Sequence, residues 1–252
     1  MPNKSAIRLS ANQACVRFGD LDALGPIDLL VHAGECVVLL GPSGCGKSTL
    51  LAALAGLQKV ASGTVQADTV SGSAIPGVVF QEPNLMNWAT AEDNVALPLA
   101  LAGVEKAERK KRAQAALQRV GLASFAAAYP RTLSVGMRMR VALARALVTE
   151  PTALLLDEPF AAIDELGRRA LDDLVLTAKR ERQLAVLFVT HSVDEAVYLA
   201  DRILVLSPRP GRIAAEIAVP SAARDPAFLT SQAFAEAAAA ARHVLSANRV
   251  DA

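Results

Sequence analysis

The chain has 252 residues, with 26 Lys and Arg against 25 Asp and Glu, a net charge of +1; no global basic field exists to gather nucleic acid or an anionic bilayer, so partners must be recognised locally. Apolar residues make up 52% and the mean hydropathy is +0.31, but much of this is alanine, and the longest apolar run, Val95 to Val104, is broken by Pro98 and Gly103 and is too short to span a membrane. Cys15, Cys36 and Cys45 show no CxxC or Cys/His spacing, which argues against zinc and against a disulfide framework and fits a reducing compartment.

The first residues, Met1 to Arg8, lack the apolar core of a signal peptide, so the chain is expected to stay in the cytoplasm. Alternation at Ala14, Val16 and Phe18, and again at Ile27, Leu29 and Val31, predicts half-buried strands of an antiparallel sheet. Cys36 to Leu40, Leu154 to Leu156 and Ala185 to Val189 are unbroken apolar runs, the pattern of central parallel strands covered on both faces. Val78 to Phe80 reads as another short strand. Thr90 to Leu122 turns helical, and its run Lys106, Arg109, Lys110, Lys111, Arg112 reads as a solvated helix face. After Ser207 the chain is alanine-rich and carries no motif, ending in a helix near Phe234 to Ser246. No Gly/Ser or Pro-rich linker divides two cores, so one α/β domain with inserted subdomains is expected.

Gly41-Pro42-Ser43-Gly44-Cys45-Gly46-Lys47-Ser48, with Thr49 next, satisfies GxxxxGK[ST] directly after an apolar strand and before a helix from Ser48 to Leu57. In that context the glycines let successive backbone N–H groups face the α- and β-phosphates of a nucleotide, Lys47 reaches the β- and γ-phosphates, and Ser48 ligates magnesium. Cys45 reads as a small residue filling a tight turn rather than as a reactive thiol. A second phosphate-holding surface is offered by Ser134-Val135-Gly136, where a hydroxyl, backbone N–H groups and a positive helix end coincide. One nucleotide does not need both surfaces, so the second is best explained as serving a nucleotide on another subunit. Parallel sheets bind ligands at the carboxyl ends of their strands, where Lys47, Asp157, Glu158 and His191 all fall.

The order Gly41 to Ser48, Gln81, Leu133-Ser-Val-Gly-Met137, Leu154-Leu-Leu-Asp-Glu158, Ala162-Ile-Asp164 and His191 resembles the ATPase subunit of ABC transporters over nearly the whole chain. The resemblance implies an α/β P-loop NTPase of ABC type with an antiparallel β subdomain and an inserted helical subdomain. The ATPase domain would span residues 1–220, with the helical insertion at about 84–148, and 221–252 would form a C-terminal helical appendage. It further implies that Asp157 serves magnesium and that Glu158 is the general base toward the attacking water. Gln81 would bridge magnesium, the water and the insertion, and His191 would sense the γ-phosphate. Phe18, 29 positions before Lys47, would stack on adenine. Ser134 and Gly136 would touch the γ-phosphate across a head-to-tail dimer, and Asp164 would link the two sites.

The motif departs from the family's Leu-Ser-Gly-Gly-Gln at Val135 and Met137, and Met139 stands within the usual Arg-Gln-Arg. A β-branched Val135 forbids the positive φ that glycine permits, which bears on the vigour of the trans site. Asn84 to Trp88 matches the family's groove for a cytoplasmic helix of the membrane subunit.

Implied partners are a second ATPase subunit, transmembrane permease subunits and, indirectly, a periplasmic or extracellular solute-binding protein, with no nucleic acid. The implied place is the cytoplasmic face of the cell membrane, peripherally attached. Asp157-Glu-Pro-Phe-Ala-Ala-Ile-Asp164 and Leu206-Ser-Pro-Arg-Pro-Gly-Arg212 resemble the nitrate, sulfonate and taurine importer branch, which favours a small anion as solute; a pyrimidine precursor of thiamine is another option. The alternatives are a soluble ABC ATPase outside transport and a degenerate regulatory cassette. Neutral charge and the absence of room for a second cassette or a long coiled coil weigh against the first, and intact Glu158 and His191 against the second.

Overall fold

The computed structural model describes residues 6–67, 75–220 and 224–248. Residues 1–5 of the N-terminal reading, and residues 221–223 and 249–252 of the C-terminal appendage, lie outside the described residues.

Strands β1 (Ile7–Phe18), β2 (Leu21–His32) and β4 (Ser62–Ala67) form an antiparallel sheet in the order β2-β1-β4. Leu9, Ala11, Ala14 and Val16 of β1 are buried. The alternation slips at Gln13, which sits at φ 48, where a register shift between Ala11 and Ala14 inserts a bulge. Phe18 departs from the expected alternation: at the open end of β1 it is 49% exposed, so it is no core residue.

The second sheet has the order β5-β6-β7-β3-β8-β9, built from β3 (Cys36–Leu40), β5 (Gly77–Val79), β6 (Ala153–Asp157), β7 (Ala185–Val189), β8 (Arg202–Leu206) and β9 (Ile213–Ala218). The first five named in that order are parallel, and β9 adds an antiparallel edge. Every residue of β3 and β7 is buried, because helices or sheet cover both faces and leave no position for a polar side chain. One face packs on α1 (Lys47–Leu54) and the antiparallel sheet. The other packs on α4 (Val135–Leu147), α5 (Glu165–Arg182), α6 (Val193–Leu199) and α8 (Gln232–Ala247).

A third cluster joins α2 (Ala91–Leu101), α3 (Lys106–Arg119) and one side of α4 through Val95, Leu99, Leu117, Val141 and Ala144. Helix α4 therefore belongs to two cores, with Met139, Ala142 and Leu143 turned to the main sheet. Thr90 opens α2 with a reciprocal capping box to Asp93. The short α7 (Pro226–Leu229) and α8 close the chain, and Ala237, Ala238 and Ala241 are buried in the main core. No helix among the described residues is long and apolar enough to cross a membrane.

Candidate functional site

The topology sets four chain segments side by side at the carboxyl edge of the parallel sheet. Gln81 follows β5, Asp157 ends β6 with Glu158 next, His191 follows β7, and the loop 41–48 follows β3. A hollow of about 1080 Å³ lies instead over the antiparallel sheet among Arg8, Asp28 and Arg202; it holds none of these groups, so volume does not mark the chemistry.

The loop's glycines are needed where the chain is tightest. Gly44 sits at φ 76 and Gly46 at φ 104, and a Cβ on Gly46 would stand 2.6 Å from Leu24 Cδ2 and 2.9 Å from Ala23 O. The hairpin end carrying Phe18 thus also supplies the wall behind Gly46. Lys47 is only 5% exposed, and its Nζ donates to the Gly41 carbonyl at 2.9 Å and the Pro42 carbonyl at 3.0 Å. The loop curls around its own ammonium, and Cys45 N–H donates back to the Pro42 carbonyl at 3.4 Å. Burial pushes the Cys45 thiol pKa up, the direction of an inert packing residue.

Ser48 Oγ donates to Asp157 Oδ1 at 2.8 Å. Burial raises the Asp157 pKa, with the Ser48 hydrogen bond opposing it. A hydroxyl and a carboxylate at this separation, beside a phosphate site, are hard oxygen donors of the kind magnesium takes alongside phosphate and water, so the residues fit that ion. Glu158 follows in the left-handed region at φ 43, rare for a non-glycine residue, and its N–H donates to the Val189 carbonyl. Its carboxylate lies between two nitrogen groups, with Oε2 3.0 Å from His191 Nδ1 and Oε1 3.9 Å from Lys47 Nζ. Gln81 is exposed at the next strand end.

His191 is held by its neighbours. The Glu195 carboxylate accepts from Thr190 Oγ1, whose oxygen accepts from Ser192 N–H at 3.0 Å, and Ser192 Oγ caps α6 by accepting from Glu195 N–H. Sequence reasoning passed over Glu195, although Ser192-x-x-Glu195 is a capping-box pattern. Burial raises the Glu195 pKa, and burial followed by the charge of Glu195 pushes Asp172 up to about 8.

Ser134 and Gly136 are not brought to the same chain's phosphate loop. Ser134 is the N-cap of α4, accepting from Met137 N–H, and with Val135 and Gly136 it borders a separate hollow of about 530 Å³ shared with Ala162, Ile163 and Asp164. Val135 corrects an expectation: it lies inside α4, not at positive φ, so its backbone needs no glycine there. What the valine changes is bulk, since its side chain is 42% exposed.

Trp88 is 80% exposed on a loop fixed from both sides. Arg145 Nη1 and Nη2 donate to the carbonyls of Asn84 and Pro83. Fully buried Asn94 donates to the carbonyls of Met86, Ala89 and Thr90 and accepts from Met86 N–H.

A model of the ABC transporter family matches residues 24–161. The chain is 48% identical over 206 residues to a taurine import ATP-binding protein of Rhizobium johnstonii, covering 79% of this chain and 78% of that protein. It is 44% identical over 225 residues to an aliphatic sulfonates import ATP-binding protein of Pseudomonas savastanoi, covering 87% and 91%. Among solved structures, a dimeric ATP-binding cassette bound to ADP and Pi superposes with a TM-score of 0.74 at 30% identity, covering 85% of this chain and all of that one. The cbiO1 protein of Clostridium perfringens, part of an ABC transporter complex, matches with a TM-score of 0.74 at 29% identity, covering 83% and 88%.

Proposed function

Since this chain belongs to the ABC transporter family as an ATP-hydrolysing subunit, we propose that it works as one of a head-to-tail pair, driving import of a small organic anion of the sulfonate or taurine class through membrane-embedded permease subunits. The observation that carries the pairing is the separation of its phosphate surfaces. Ser134-Val135-Gly136 borders a hollow whose lining includes no residue of loop 41–48, which supports reading each surface as half of a site that a second copy completes.

The roles are those the family resemblance implies, and the positions of the residues support them. Lys47 and the loop N–H groups bind the phosphates, and Thr49 extends that cradle into α1. Phe18, exposed beside the loop wall, stacks on the adenine, where a ring contributes roughly 1–3 kcal/mol. Ser48 and Asp157, with Gln81 after the neighbouring strand β5, would hold magnesium, which when bound would supply charge neutralisation at the phosphate oxygens. Glu158 accepts the proton of the attacking water. His191, 3.0 Å from that carboxylate, orients it and reaches toward the γ-phosphate position. Ser134 and Gly136 of the second copy close over the nucleotide with a hydroxyl, backbone N–H groups and a helix N-terminus. Asp164 at the start of α5 borders the same hollow as Ser134 and passes closure from one site to the other. Trp88 and its braced loop form the permease-facing surface, attaching the subunit to the cytoplasmic side of the membrane.

The test is the size of purified Glu158→Gln protein with and without Mg-ATP, run beside steady-state ATPase of the unmodified chain. Nucleotide-driven dimerisation together with turnover supports the pair. A variant that binds ATP and stays monomeric overturns the homodimer, and an inactive unmodified chain overturns hydrolysis. Uptake of taurine and alkylsulfonates by the reconstituted importer, with other small anions as competitors, tests the solute class.

A further inference from the structure

The segment Ser207-Pro208-Arg209-Pro210-Gly211-Arg212 leaves β8 and lies against the phosphate loop, mounted with little freedom. Pro208 and Pro210 restrict the backbone on either side of Arg209. Ser207 N–H donates to the Arg212 carbonyl at 2.9 Å, and Arg212 N–H donates to Ser207 Oγ at 3.1 Å, closing the segment on itself. Gly211 N–H donates to the Ala23 carbonyl, and its own carbonyl accepts from Gly25 N–H, which stitches the segment to β2. Its approach is so close that a Cβ on Gly211 would stand 2.0 Å from the Cys45 carbonyl oxygen.

From this mount Arg209 Nε and Nη2 both donate to the Gly44 carbonyl, at 3.2 and 3.0 Å. The Gly44 carbonyl and the Cys45 N–H are the two ends of one peptide unit, and that N–H makes only a long contact of 3.4 Å to the Pro42 carbonyl, which a phosphate oxygen would replace. A cation on the oxygen polarises that unit and strengthens its N–H as a donor, while two hydrogen bonds from one planar group fix its rotation. Without such a hold, a loop with glycines at 41, 44 and 46 samples many conformations that cannot receive phosphate.

We propose that Arg209 is a positioning residue for nucleotide binding: its guanidinium holds the Gly44–Cys45 peptide in the phosphate-receiving orientation before the nucleotide arrives. The proposal rests on the reading of loop 41–48 as the ATP site. It acts on binding rather than on the chemical step, so loss of the hold weakens affinity and leaves saturated turnover in place.

The experiment compares the unmodified chain with Arg209→Gln and Arg209→Lys by three readouts: Mg-ADP affinity from equilibrium titration, kcat and KM for Mg-ATP, and amide hydrogen exchange of peptide 41–49 without nucleotide. Matching thermal unfolding of the three proteins controls for global damage. In R209Q the Mg-ADP Kd and the ATP KM rise about tenfold with kcat retained, and exchange at 41–49 accelerates. R209K, which keeps charge but loses the fork, recovers only part of the affinity. Unchanged affinity and exchange in R209Q overturn the proposal, and so does full recovery by R209K, which assigns the effect to charge alone. An unmodified chain that binds no Mg-ADP brings down the ATP-site reading, whereas the exchange readout still decides whether Arg209 holds the loop.

Discussion

Glu158 shows how a single residue is forced into place. Its left-handed backbone costs of order 1–3 kcal/mol, and the N–H to Val189 and the end of β6 impose it. The return is a carboxylate aimed between His191 and Lys47. Glu158→Gln is expected to keep nucleotide affinity while steady-state ATPase falls by about 10²–10⁴. Phe18→Ala is expected to raise the nucleotide Kd about tenfold, as loss of one stacking surface does, with Phe18→Tyr near the unmodified value; titration with Mg-ADP checks both. Asp172 carries a pH prediction. Its folded pKa of about 8 lies far above the usual carboxylate value near 3.9, so between those values the folded state binds the extra proton. Its contribution is complete below the unfolded pKa and is lost as pH rises through about 8. Asp172→Asn, which stays neutral, is expected to gain in melting temperature relative to the unmodified chain as pH moves from about 5 to about 8. The loop residues were legible because GxxxxGK[ST] states its own chemistry. Glu195 and Asp172 were not, because a buried carboxylate reveals itself only when the elements packed around it are known.

At the scale of elements, the unbroken apolar runs gave away β3, β6 and β7, since strands covered on both faces admit little else. Strands β4, with Ser62 and Gly63, and β9, with three alanines, carry only two β-branched residues each and no aromatic, a thin strand signal; pairing with β1 and β8 specifies them instead. The helical insertion was visible from Thr90 onward, but the bracing of its entry loop was not, because Arg145 reaches Pro83 and Asn84 from some sixty positions away. Asn94→Ala removes the acceptor of Met86 N–H and the donor to the Ala89 carbonyl at a fully buried side chain, while the Met86 and Thr90 carbonyls keep backbone donors; each orphaned group costs about 1–3 kcal/mol. A fall in unfolding free energy of at least that size is expected from denaturant titration. Ser134→Ala removes the α4 N-cap, at about 1 kcal/mol, and is expected to reduce ATPase far more than this loss of stability explains, since its hydroxyl is proposed to serve the nucleotide of the second copy.

For the whole molecule, the division into antiparallel sheet, parallel sheet and helical insertion is what the motif order implied, and the family's solved structures share it. Helix α4 joins the insertion to the sheet core, with one side in each cluster. It carries Ser134 as its N-cap at one end and, in its last turn, Arg145, which holds the loop at Pro83 and Asn84. The sequence carries a single tryptophan, and it is Trp88, almost fully in water on that braced loop. The chain thus contains a built-in optical reporter placed where a membrane partner is proposed to sit: its emission should shift to the blue when permease subunits cover it, and stay at the wavelength of a hydrated indole when Mg-ATP is added to the isolated subunit.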